Sequence, residues 1–154
     1  MTIFIIFVAV VALLLLVKSR MANESNAKMG DIPALFEKLR ATGKDANFVQ
    51  FCFGAPKTNL DDNAVNVQFS IEDGKIGFDW VLICEQNIQD KDKFLELAKR
   101  LGHKVVANEW KNGVKYLRVE DGDLPKLCEA SMRDLYAMPP DANLELVLEG
   151  INWP

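Results

Sequence analysis

Histidine is nearly absent from this chain of 154 residues; the one present is His103. No H-x-x-x-H spacing can therefore occur, and the three cysteines, Cys52, Cys84 and Cys128, form no C-x-x-C. With no acidic Ca²⁺-type loop either, the common metal sites are not legible. The cysteines are odd in number and far apart, which excludes a disulfide framework and fits a reducing compartment. Neither G-x-x-x-x-G-K-[ST] nor G-x-G-x-x-G is found, so no phosphate cradle is recognisable. The Asp61-Asp62 pair reads as solvated turn polarity.

What remains for catalysis is thin. His103 follows the helix that Gly102 ends, where a cation complements the helix C-terminus. As a general base it would need a nucleophile and an orienting group nearby. The cysteines have apolar neighbours such as Ile83 and Leu127 and read as small buried hydrophobes. A Cys/His pair stays open as the catalytic alternative. The expectation is a binding protein without cofactor or metal rather than an enzyme.

Apolar residues, by contrast, are concentrated at the start. Residues 2–17 read TIFIIFVAVVALLLLV, without charge, glycine or proline. As a helix the run is about 24 Å long, near the short end of a bilayer span. Its side chains Ile3, Phe4, Ile5, Ile6, Phe7, Val8, Val10, Val11, Leu13, Leu14, Leu15, Leu16 and Val17 are the expected membrane anchor. No side-chain charge precedes the run and no A-x-A site follows it, which favours an uncleaved anchor over a signal peptide. A start at Met21 or Met29 is the alternative that would leave a soluble chain. Lys18, Arg20 and Lys28 lie C-terminal to the run, so the positive-inside rule puts the remainder in the cytoplasm, below a single-pass inner-membrane helix.

Residues 18–29 are polar and aperiodic and read as a linker; residues 30–154 suffice for one domain. Asp31 and Pro33 open a helix that buries Ile32, Leu35, Phe36 and Leu39 and stops at Gly43. Strands are expected over 48–53, over 65–71 by strict alternation, and over 76–84 after an Asp73-Gly74 turn, the last covered on both faces. A helix from Asp90 buries Phe94, Leu97, Ala98 and Leu101 and stops at Gly102. A hairpin over 104–110 and 114–120 turns at Asn112-Gly113. A helix over 123–138, ended by Pro139-Pro140, and a strand over 144–151 complete the chain. The order α-β-β-β-α-β-β-α-β predicts an α+β fold, an antiparallel-rich sheet with helices on one face, preceded by one N-terminal transmembrane helix. The echo of Gly30-Asp31-Ile32-Pro33 in Gly122-Asp123-Leu124-Pro125 reads as repeated helix-start chemistry rather than duplication.

Charge narrows the partner. The net charge is −4, and residues 119–154 hold 2 basic against 8 acidic side chains, whereas residues 21–118 hold 14 of each. Nucleic acid is a poor partner for such a chain, and a basic protein surface a better one. In the hairpin, alternation assigns Val105, Ala107, Leu117 and Val119 to the core and turns Asn108, Trp110, Tyr116 and Arg118 to the other face. Those four, with the acidic Glu120, Asp121 and Asp123, are the expected partner-binding residues, beside an Asn66, Gln68 and Ser70 stripe. They could equally be cross-strand pairs and a solvated acidic edge.

A compact acidic domain without a visible active site, held on the cytoplasmic side of a membrane, resembles a bacterial immunity protein. The whole chain with its anchor is similar to the TriTu immunity family. That resemblance implies a cognate partner, an ADP-ribosyltransferase toxin delivered by type VI secretion in bacterial competition, neutralised by covering its active site. No residue role is carried over from the family. The alternation of elements also resembles type III secretion chaperones, small acidic proteins that lack a membrane segment. The expected function is thus toxin inhibition, with a secretion or assembly chaperone, or another membrane-tethered protein-binding module, as the alternative.

Overall fold

The structure, a computed structural model, describes residues 26–54 and 64–154. The expected span over 2–17, most of the linker and the Asp61-Asp62 pair lie outside the described residues. Among the described residues no helix is long and apolar enough to cross a membrane.

These residues form an α+β fold with seven strands and four helices. Strand β1 (Asn26–Lys28) runs through a 3₁₀ turn (Met29–Asp31) into helix α1 (Ile32–Thr42). Strands β2 (Phe48–Gly54), β3 (Ala64–Glu72) and β4 (Lys75–Val81) follow, then helices α2 (Glu85–Gln89) and α3 (Lys91–Arg100). The hairpin β5 (Val106–Glu109) and β6 (Lys115–Val119) leads into α4 (Leu124–Tyr136) and β7 (Asn143–Glu149). Every strand pair is antiparallel, in the order β1-β7-β2-β3-β4-β6-β5.

Period-two patterning fixes which face is covered. Val49, Phe51 and Phe53, then Val65, Val67 and Phe69, then Phe78 and Trp80, with Leu117, Val119, Leu144 and Leu146, are all buried in one hydrophobic cluster. Helices α1, α3 and α4 contribute Leu35, Phe36, Leu39, Phe94, Leu127 and Met132 to the same cluster. Phe69 sits centrally, edge-to-face with Phe36 at 5.0 Å, Phe51 at 5.7 Å and Phe78 at 5.9 Å. Trp80 lies flat on Phe94 at 4.7 Å.

The Asp73-Gly74 turn forms as its sequence demands, both residues taking positive φ, 51° and 73°, the geometry that suits the twist of a tight hairpin. The strand expected over 76–84 ends at Val81, and Cys84 instead precedes α2. Where β4 stops pairing with β3, the Asn87 side chain takes over. Its Oδ1 accepts from the Asn66 N–H at 2.9 Å and its Nδ2 donates to the Asn66 carbonyl at 2.8 Å. A side-chain amide thus satisfies backbone groups that would otherwise lack partners.

Two further departures have simple causes. Residues 26–29, expected as linker, are folded: Ala27 pairs with Leu144 and both Ala27 and Met29 are buried. In the hairpin, Leu117 and Val119 are buried as expected, but Ala107 is exposed and Val105 half-buried. Strand β5 is outermost and every one of its residues is exposed, so alternation has no core to read there. The two similar helix starts also differ. Asp123 caps α4, accepting from the Lys126 N–H at 3.0 Å, whereas Asp31 accepts backward from the Lys28 N–H at 2.8 Å.

Candidate functional site

The face of the sheet opposite the helices is polar yet only partly wet. Alternation brings Gln50, Gln68, Ser70, Glu72, Asp79, Tyr116 and Arg118 to this side through the registers Gln50–Gln68, Gln68–Asp79 and Asp79–Arg118. Arg118 is 3 % exposed and Asp79 fully buried. The guanidinium donates from Nη1 to Asp79 Oδ1 at 2.7 Å and to Ser70 Oγ at 2.8 Å. Its Nη2 reaches the Lys75 carbonyl at 3.0 Å and its Nε reaches Glu120 Oε1 at 2.7 Å. Asp79 Oδ2 accepts from the Ser70 hydroxyl and from Gln68 Nε2. Gly77 makes room for this: any Cβ there would overlap the guanidinium.

Burial pushes the Asp79 carboxyl up to about 6, although the Arg118 charge and the Ser70 and Gln68 hydrogen bonds pull it down. Burial also works against the Arg118 charge, but Asp79, Glu120 and Glu72 hold its pKa above the ordinary value. A cation so placed is a sheet staple, its donors taken up by groups of the fold itself.

Toward the hairpin tip the same face carries an aromatic clamp. Trp110 and Tyr116 stack at 4.3 Å. Glu72 holds both, accepting from Trp110 Nε1 at 2.7 Å and from the Tyr116 hydroxyl at 2.8 Å. Burial and the Glu72 hydrogen bond push the Tyr116 phenol up to about 12. Two concavities flank these residues. One of about 720 Å³ runs from Phe48, Gln50 and Gln68 to Glu72 and Trp110. The other, about 320 Å³, lies between Val106, Asn108, Arg118, Glu120 and Asp121.

The expected partner-binding set is therefore brought together in part. Asn108, Arg118, Glu120 and Asp121 border the smaller concavity, and Trp110 the larger. Tyr116 and Arg118 are buried with their polar ends engaged inside the fold. Asp123 is a helix cap and belongs to neither concavity. The sequence reading missed Glu72 and Asp79, which organise the face. A lone aspartate in the apolar run 76–81 was the available signal, because a buried carboxylate demands a cation or donors.

The catalytic alternative finds no constellation among the described residues. The His103 side chain is mostly buried and its Nδ1 donates to the Asp121 carbonyl at 2.9 Å, packed on Gly122. No disulfide joins the cysteines. Burial, then Glu145, pushes the Cys52 thiol up to about 12, and burial raises Cys128 well above its ordinary value, so neither is a thiolate at neutral pH. No group of three His, Cys, Asp or Glu side chains among the described residues is arranged to hold a metal ion. The chain matches no protein-family profile, no curated protein and no solved structure.

Proposed function

We propose that this chain is a protein-binding module that neutralises a cognate protein toxin by covering it with the open face of its sheet. The observation that carries the reading is the clamp of Trp110, Tyr116 and Glu72 beside a cavity of about 720 Å³. Aromatic groups already locked by hydrogen bonds lose little entropy when a partner docks, and Trp and Tyr are the side chains that dominate interface energetics. Acidic Glu120 and Asp121, on the smaller concavity, suit a basic partner surface and would speed encounter with it. Occlusion requires no chemistry from the inhibitor. An ADP-ribosyltransferase is the toxin class that the sequence resemblance implies, and an anchor at residues 2–17 would station the inhibitor at the inner membrane, facing the cytoplasm, where a delivered toxin enters.

The test is co-expression with the toxic product of the neighbouring gene. Cells carrying the chain survive and the two proteins co-purify, while Trp110→Ala weakens capture about 30-fold, the cost of removing an aromatic anchor. Equal survival with and without the chain overturns the proposal.

A further inference from the structure

We infer that the larger concavity of the open face is a receptor for an arginine side chain presented by a partner protein. This deepens the docking reading above and rests on it. The cavity, about 720 Å³, lies within the size range of ligand sites. Two half-buried rings, Phe48 and Trp110, line it. Aromatic faces attract cations, and a planar guanidinium can stack on them as well.

The charge on its walls has one dominant sign. Asp45, Asp73 and Glu109 are all exposed around it, against one cation, Lys111. Glu72 also borders the cavity, with both oxygens already taken by Trp110 and Tyr116. At the buried end, Gln68 must turn Nε2 toward Asp79, because a carboxylate only accepts. Its Oε1 is left as an acceptor with no hydrogen bond among the described residues. Aromatic walls, a carboxylate rim and an inner amide acceptor together ask for a flat, cationic, many-donor group. Guanidinium meets all three demands, whereas an ammonium is a compact, strongly hydrated point charge and cannot stack.

The experiment follows the Trp110 indole N–H by NMR in the full chain held in neutral detergent. Three neutral-capped glycine-serine peptides are titrated, carrying a central arginine, lysine or citrulline. The arginine peptide gives a saturable shift of the Trp110 indole signal, the lysine peptide binds more weakly, and citrulline, which keeps the shape without the charge, gives none. Asp73→Asn and Glu109→Gln each weaken the arginine peptide about three-fold at low salt, and the remote Glu96→Gln leaves it unchanged. Both substituted side chains are exposed, and an unmoved Trp80 indole signal verifies folding. No saturable shift, citrulline equal to arginine, or lysine at least as tight as arginine overturns the inference. A partner toxin that binds Trp110→Ala as well as the native chain overturns the docking reading itself. A toxin that needs Trp110, together with an arginine peptide that does not bind, overturns only the arginine assignment.

Discussion

Replacing Arg118 by methionine would strand the Asp79 carboxylate, which is fully buried and keeps only the Ser70 hydroxyl and Gln68 amide as donors. Breaking a buried pair from one side costs about 3–5 kcal/mol, because the orphaned charge has no water to return to. The carboxyl has an escape, which is to take up a proton. The loss expected for Arg118→Met at pH 7 is therefore about 3–5 kcal/mol. The sign of the pH dependence then follows. Between pH 4 and 7 the folded variant holds a proton that the unfolded chain has lost, so its stability rises as pH falls. The native chain shows the same direction over a narrower window. Its Asp79 sits at about 6, so this group's contribution is full below pH 4 and lost as pH rises through 6. Asp79→Asn in the Arg118→Met background removes the stranded charge, and the double variant should recover most of the loss. Urea unfolding of the four proteins at pH 7.5 and pH 5, read as a double-mutant cycle, measures the coupling. An Arg118→Met loss below about 1 kcal/mol, with no change in pH slope, would refute the reasoning.

Other expectations are simpler. Phe69→Ala opens a hole where three aromatic rings converge, and should cost about 3–5 kcal/mol by urea unfolding. Asp123→Ala should cost about 1 kcal/mol through its lost cap, and Asp31→Ala less, since Asp31 binds the preceding Lys28 amide rather than its own helix. Absorbance of the tyrosinate at high pH should show neither tyrosine ionising at pH 10. Tyr116 is held to about 12 and burial raises Tyr136 further, so a step at pH 10 in the folded chain would contradict the Glu72 clamp.

Periodicity carried most of the architecture into the sequence. Alternation over 65–71 and the helical spacing of Ile32, Leu35, Phe36 and Leu39 identify apolar faces that the folded chain does bury, but in β3 the opposite side is buried as well, at Gln68 and Ser70. The failures share a cause, namely that pattern reports burial and says nothing of pairing. Leu82 and Ile83 prolong the apolar run past Val81, so the end of β4 and the start of α2 are hidden. Asn26–Lys28 is too short for any period, and its place beside β7 depends on residues more than a hundred positions away. On the open face, the residue types of the hairpin were legible, but their state was not. Trp110 and Glu72 are brought together across intervening strands, and no local spacing announces that Arg118 is locked rather than available.

The strand order has a practical corollary. Asn26 enters at one margin of the sheet and the Trp110 hairpin stands at the other, six interstrand steps away, or roughly 29 Å at the usual strand spacing. Whatever grips the chain upstream of Asn26 therefore holds it like a handle, at the margin of the sheet farthest from the hairpin. Fusions or surface attachment at that margin should leave the hairpin unobstructed.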